Sequence, residues 1–263
     1  KNKYLYMCGI SGIISNKNLN HHKLISMMIG AMSHRGPDFK NFHLGPDYSI
    51  GHNRLSIIDL NSRSNQPFYD NENRYIMSYN GEIYNYRDLK NQMKNNYIFK
   101  TNSDTEVLLA GYKIYGKRIL SMLNGCFAFA IYDTKERTLF FARDRLGIKP
   151  LYYAYLNGVF IFCSEIKPIL ETGLISRSIN HLGINQYLSL QSSYCPNTTL
   201  NDVKMLEPGS FGTLKHDNLK YKTKKYWEMK INNDYDSNIN NKVIINNVRD
   251  KVLKAIELRQ VSD

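Results

Sequence analysis

Residues 1–15 read KNKYLYMCGISGIIS, and the reading given to Cys8 decides the fold. Cys8 follows a methionine and leads a glycine-punctuated apolar run. Three readings compete. As a secretory signal, Lys1 and Lys3 supply a charged flank and Tyr4–Ile14 a largely apolar stretch. Gly9, Ser11 and Gly12 dilute that stretch, however, and no small-x-small cleavage site precedes Ser15-Asn16-Lys17. A lipoprotein anchor would want a small residue where Met7 stands. As a strand residue, Cys8 would be packed in the core, the usual fate of a free cysteine. The third reading is a nucleophile that must become residue one, and the rest of the chain chooses among them.

With 263 residues, 42% of them apolar and 12% aromatic, the chain can build a real core. Its length suits one large domain, or one domain plus a piece of another. No stretch approaches the roughly 18 apolar residues of a membrane span, so no membrane partner is expected. Cys8, Cys126, Cys163 and Cys195 lie far apart without a C-x-x-C pair. That usage suits a reducing, cytoplasmic protein, with the last three cysteines in the core. The net charge is +12, densest over Lys215–Lys230, where six lysines fall among Tyr221, Tyr226 and Trp227. Basic and aromatic residues together can grip a single nucleic-acid strand. Yet no run of five like charges occurs, and elsewhere the lysines are scattered among Asn and Tyr. We read a solvated face and no nucleic-acid partner.

Apolar spacing predicts helices over 21–33, 86–96 and 104–123, and strands over 9–15, 48–55, 74–80, 126–133, 138–143, 151–155 and 159–164. CFAFAIYD, 126–133, is continuous apolar sequence and should be buried on both faces. Adjacent runs of strands with helices between them suit a layered α+β domain better than a strict βαβ series. From about Trp227 the texture changes. INNDYDSNINN is polar and turn-rich, hence a linker, and VIINNVRDKVLKAIELRQ then begins a further helix.

Four polar clusters sit where these elements end: Met7-Cys8-Gly9-Ile10, His34-Arg35-Gly36-Pro37-Asp38, Arg54-Leu55-Ser56-Ile57-Ile58-Asp59, and Asn80-Gly81-Glu82-Ile83-Tyr84-Asn85. Each has a plain alternative. RGPD makes a good turn, Arg54 could be a surface arginine, and Asn-Gly is a common hairpin signal. Ser103 and Glu106 make an S-x-x-E capping box around Asp104, whose charge would suit a helix N-terminus. His21-His22 reads as a solvated helix start, since no zinc spacing accompanies it. Asn197-Thr198-Thr199 is a formal glycosylation sequon, irrelevant in the cytoplasm.

In this order the clusters resemble the glutamine-hydrolysing domain of asparagine synthetases, class II amidotransferases of the N-terminal-nucleophile fold. CFAFAIYD, RDRLGIKPLYY (143–153), SEIK (164–167) and LEPG (206–209) extend the resemblance. RLSIID with HRGPD points to the asparagine synthetase branch rather than its sister amidotransferases. The resemblance implies a four-layer αββα sandwich over 8–226 and, over 227–263, a linker and first helix of a synthetase domain. It implies that L-glutamine is hydrolysed through a thioester on Cys8, the ammonia serving ATP-dependent conversion of aspartate to asparagine. It also assigns roles. Arg54, with backbone groups of Leu55, Ser56, Ile57 and Ile58, would hold the α-carboxylate; Glu82 and Asp104 would hold the α-ammonium. The Asn80 side chain and the Gly81 N–H would form the oxyanion hole, and RGPD the segment closing over glutamine.

An N-terminal cysteine can use its own α-amino group as base, with an ordinary pKa of about 7.7–8.0. Residues 1–7 are therefore expected to be absent from the active protein. No S-G-G and no G-x-x-x-x-G-K-[ST] occurs in the sequence. The phosphate loop, with its ATP and Mg, is expected to follow within roughly ten to fifteen residues of Asp263. No cofactor or metal is expected in these residues, and the partners are L-glutamine and the chain's own synthetase domain, with a homodimer as an option. Two other readings stay open: the same domain serving another acceptor, and an inactive regulatory module with a blocked Cys8.

Overall fold

A computed structural model describes residues 7–56, 59–231 and 241–260. The chain begins with β1 (Gly9–Ser15), α1 (His21–Ala31), β2 (Phe39–Leu44), β3 (Tyr48–Arg54), β4 (Phe68–Tyr69) and β5 (Tyr75–Ile83). Next come α2 (Tyr86–Met93), α3 (Asp104–Tyr115), α4 (Ile119–Met122), β6 (Gly125–Asp133), β7 (Thr138–Arg143), β8 (Tyr152–Leu156) and β9 (Val159–Cys163). After α5 (Ile166–Glu171) and α6 (His181–Leu190) follow β10 (Val203–Met205), β11 (Ser210–Lys215), β12 (Lys220–Lys225) and α7 (Asn241–Leu258).

The strands form two antiparallel sheets, ordered β10-β8-β9-β1-β3-β2 and β12-β11-β7-β6-β5-β4. Successive side chains of a strand face opposite ways, so a strand buried on both faces serves two cores. In β6, Ala128, Ala130 and Tyr132 face the other sheet, whereas Phe127, Phe129 and Ile131 pack with α2 and α3. β9 divides likewise: Phe160 and Phe162 point between the sheets, Val159, Ile161 and Cys163 towards α1 and α5. The result is the expected α+β sandwich of four layers, helix, sheet, sheet, helix.

The aromatic inner layer demands room. A methyl group on Gly12 would overlap the Phe162 ring and lie 3.0 Å from the Ser49 carbonyl oxygen.

Several local expectations change. The helix expected over 104–123 is interrupted at Gly116, which takes φ +56°, and a short tight turn over Gly116–Arg118 leads into α4. Asn80-Gly81 is no hairpin turn; β5 runs through it to Ile83 in register with β6. The capping box is half formed. Ser103 accepts from the Thr105 N–H at 3.0 Å, but the Glu106 carboxylate turns back to the Lys100 N–H and to the N–H and hydroxyl of Thr101. His21 is buried 3.3 Å from the Ser49 hydroxyl, not solvated, because α1 lies on the first sheet. Cys126 and Cys163 are buried as expected, and Cys195 is half-buried.

The lysine-rich segment is the edge strand β12, paired on one side with β11. Charged side chains on such an edge discourage strand addition by another chain. Its aromatics face inward: the Tyr221 ring packs 5.7 Å from those of Tyr153 and Phe160, and the Tyr226 hydroxyl donates to the Arg143 carbonyl at 3.0 Å. Tyr221 and Tyr226 are thus engaged within the fold, and Trp227 is half-buried. Among the described residues no helix is long and apolar enough to cross a membrane.

The crowding around Phe162 gives a direct test. Gly12→Ala should destabilise the fold by about 1–3 kcal/mol, the usual cost of overpacking, read as a lower midpoint in urea unfolding.

Candidate active site

Register builds the site. β1 and β3 pair with Gly9 opposite Asn53, so one step further Cys8 comes beside Arg54. Cys8 continues the even-numbered positions of β1, Ile10 and Ile14, that face the second sheet. Arg54 likewise follows Tyr48 and Ile50 on β3, and Asn80 follows Ile76 on β5. Strand periodicity therefore aims Cys8, Arg54 and Asn80 into one end of the layer between the sheets.

There they meet around a cavity of about 250 Å³, lined by Cys8, Arg54, Leu55, Asn80, Gly81, Glu82 and Asp104 together with Tyr79, Gln66 and Lys149. Seven expected site residues are thus brought together. Ser56 lies beside the cavity, its N–H donating to Asp38 of the RGPD turn at 2.8 Å. Ile57 and Ile58 lie outside the described residues.

The Cys8 thiol is held against Leu55, whose N–H donates to the sulfur at 3.3 Å and whose carbonyl accepts from it at 3.4 Å. The Cys8 carbonyl accepts from Arg35 at 2.9 Å, and Arg35 is fixed in turn by Glu165 at 2.9 Å. A side chain on Gly36 would run into the backbone of Asn53 and Arg54, so the turn lies flush on the end of β3. Burial pushes the Cys8 thiol up, although the Leu55 N–H and the Arg54 and Lys149 charges oppose it. A thiol in that state needs a base close by.

Arg54 is not a surface arginine. Only 5% exposed, it donates to the carbonyls of Asn61 and Asp59 at 3.2 and 2.6 Å and to the Asn65 side chain. It thereby folds the loop after β3 around its own guanidinium.

On the opposite wall, β5 turns one row of N–H groups away from β6. The Tyr79 N–H donates to the Gln66 side chain at 2.7 Å and the Ile83 N–H to Asp104 at 3.0 Å. Gly81 lies between them on the same edge and lines the cavity. Packing alone requires a glycine here. A Cβ at 81 would strike the β6 backbone at Cys126 and lie 2.8 Å from the Phe127 Cα. Beside it, the Asn80 amide nitrogen is buried with no hydrogen-bond partner among the described residues, in a residue 2% exposed.

Asp104 opens α3, and its carboxylate also accepts from the Tyr79 hydroxyl at 2.7 Å. Burial pushes the Asp104 carboxyl up; burial, and then the Asp104 charge, do the same to Glu82. Tyr79, Gln66 and Lys149 were not expected here. Gln66 gives no local signal, and Lys149 sits in an otherwise ordinary turn of the RDRLGIKPLYY stretch. Among the described residues no group of His, Cys, Asp and Glu is placed to hold a metal ion.

A family model described as a glutamine amidotransferase domain matches residues 7–227. The chain belongs to that family. It is 34% identical to asparagine synthetase [glutamine-hydrolyzing] 1 of Bacillus subtilis over 98% of this chain and 40% of the relative. The same identity holds for a putative asparagine synthetase [glutamine-hydrolyzing] 2 of Methanocaldococcus jannaschii, over 98% of this chain and 53% of the relative. Amidase chyE of Penicillium rubens is 32% identical over 98% of this chain and 39% of its own length. The chain thus spans about half of these relatives or less. In fold it matches the glutamine phosphoribosylpyrophosphate amidotransferase of B. subtilis with a TM-score of 0.61 at 21% identity, over 86% of this chain and 50% of that one.

Two measurements check this geometry. Because Arg54 holds its loop, Arg54→Ala should lower folding stability by about 1.5–3 kcal/mol in chemical denaturation, the range for bonds to a charged donor. Asp104 titrates higher folded than unfolded, so its contribution to stability is complete below the unfolded value of about 3.9 and fades as pH rises through the folded one. Asp104→Asn should flatten that part of the stability–pH curve.

Proposed function

We propose that the cavity hydrolyses L-glutamine to glutamate and ammonia through a thioester on Cys8. The observation that carries this reading is the Asn80 amide nitrogen, buried and unpartnered in the cavity that Cys8 lines. An unpaired buried donor is costly unless something accepts from it. An oxyanion forming beside the Cys8 sulfur would do so, with the Gly81 N–H as second donor. Arg54, with backbone groups of Leu55 and Ser56, would face the glutamine α-carboxylate, to which a two-pronged guanidinium is suited. Glu82 and Asp104 would face the α-ammonium.

In the first step the sulfur bonds to the side-chain amide carbon while the thiol proton passes to a base. Collapse then breaks the carbon–nitrogen bond, ammonia leaves with that proton, and water cleaves the thioester to glutamate. The base we assign is the α-amino group of Cys8 itself, which requires the peptide bond to Met7 to be cut. The raised Cys8 thiol supports that need, since a protonated sulfur beside an acylated nitrogen has no base of its own. We take 8–226 as the amidotransferase unit and 227–263 as the entry to a synthetase domain. The likeness to asparagine synthetases supports asparagine as the product the ammonia serves, with ATP and Mg belonging to residues beyond this stretch. The similarity to an amidase favours testing other acceptors as well. We place the protein in the cytoplasm, a reading supported by four unpaired cysteines.

The test uses the chain begun at Cys8. It should release glutamate from glutamine, and the chain retaining Met7 should not. Cys8→Ala should abolish release, and Asn80→Ala should lower kcat about 100- to 1,000-fold with little change in the melting point. Full activity in Asn80→Ala would refute the oxyanion assignment.

A further inference from the structure

Of the two cationic side chains among the described residues lining the cavity, Arg54 has a task in the proposed chemistry and Lys149 has none, yet the fold goes to some length to put Lys149 there. Asp144, 1% exposed, turns its carboxylate on four backbone N–H groups. One oxygen accepts from Leu146 and Ile148 at 3.1 and 2.9 Å, the other from Phe127 and Lys149 at 3.1 and 3.0 Å. From the other side Arg143, 6% exposed, donates to the carbonyls of Lys149, Gly147 and Leu206 at 2.8, 2.6 and 2.7 Å. Gly147, at φ +67°, closes the turn where a Cβ would lie 2.9 Å from Pro208. Two buried ionic residues thus clamp one short loop to β6 and to the Leu206 segment. The side chain that this loop delivers ends 3.6 Å from the Met7 sulfur, and Met7, Cys8 and Lys149 line the same cavity.

We propose that Lys149 is a positioning residue whose ammonium steadies the Cys8 thiolate, with Arg143 and Asp144 as the rack that holds its loop in place. The proposal rests on the reading of Cys8 as nucleophile. Of the charges facing the thiol, Arg54 lowers it most, Asp104 opposes, and Lys149 adds a smaller lowering. Arg54 is committed to its loop by hydrogen bonds to Asn61, Asp59 and Asn65, whereas among the described residues the Lys149 ammonium makes a weak contact to a thioether. An amine on a four-carbon stem fits the task, because it brings a compact charge without the planar fork that would compete for the glutamine carboxylate. The same ammonium faces Glu82 and offsets part of the burial and repulsion that raise it. Lys149 would therefore bridge the nucleophile and Glu82.

The test follows iodoacetamide alkylation of Cys8 against pH on the full chain, with mass spectrometry of the Cys8 peptide to separate it from the other three cysteines. An opposite charge nearby moves a pKa by about one unit or more. Lys149→Met should therefore raise the alkylation midpoint by roughly one pH unit and slow the reaction near pH 7 about tenfold. Lys149→Arg should keep the midpoint near the wild-type value. Should Lys149→Met melt early, Lys149→Gln takes its place under the same expectation. A midpoint unchanged in a folded charge-removing variant overturns the proposal, as does an equal shift in Lys149→Arg. If the chain begun at Cys8 releases no glutamate, the glutaminase reading falls instead, and the alkylation midpoints still decide the place of Lys149.

Discussion

The pairing of β1 with β3 is the constraint on which the site depends. Gly9 opposite Asn53 sets Cys8 beside Arg54 and Leu55, and it also keeps Ile10 and Ile14 between the sheets. Strand periodicity is two, so a slip of one residue would turn Cys8 away from the cavity and bring Ile13 into the inner layer. The apolar core therefore fixes the register, and the register aims the thiol. Gly12 belongs to the same bargain, since only a residue without a side chain lets the Phe162 ring lie across β1. The direction of the Cys8 thiol is thus a property of the hydrophobic layer behind it.

The second sheet supplies the opposite wall by the same rule, and Asp104 ties the two layers behind it together. The Tyr79 side chain faces the outer core with α3, where its hydroxyl meets the carboxylate that also takes the Ile83 N–H. Gln66 caps the Tyr79 N–H, so of three neighbouring outward N–H groups on β5 the fold satisfies the first and third. The middle one, at Gly81, borders the cavity. Satisfying a strand edge everywhere except at one position leaves a donor where a ligand can use it.

The periodic elements were legible in the sequence because their side chains answer to a single rule. β1 and β7 are found where alternation and apolar runs place them, and CFAFAIYD is buried on both faces as its composition demands. What escaped depended on long-range partners. β2, β11 and β12 carry mixed polar residues and exist because a neighbouring strand takes their backbone groups. Glu106 has a local capping pattern, yet Lys100 and Thr101 offer it two backbone N–H groups and a side-chain hydroxyl, and win. For the site, each polar cluster alone has a plain alternative, and it is their family resemblance taken together that points to Cys8, Arg54, Asn80 and Asp104. Gln66 and Lys149 carry no such mark, because their placement comes from the folding of loops around Tyr79 and Asp144.

Burial and charge pull against each other throughout the cavity, and their balance sets what the cavity can do. Enclosing the thiol raises it and makes it a poorer nucleophile at neutral pH, while enclosing Asp104 and Glu82 raises both acids. Cationic side chains answer this from two directions: Arg54 from the β3 loop and Lys149 from the loop clamped by Asp144. An α-ammonium placed between Glu82 and Asp104 would lower both acids and so bind more tightly than it would to solvated carboxylates. The enclosure that penalises the empty cavity would then strengthen its grip on a zwitterionic amino acid, whose carboxylate and ammonium match the signs of the two walls. An uncharged amide without those groups would leave the acid pair unrelieved, and discrimination would follow from the same burial that raises the thiol.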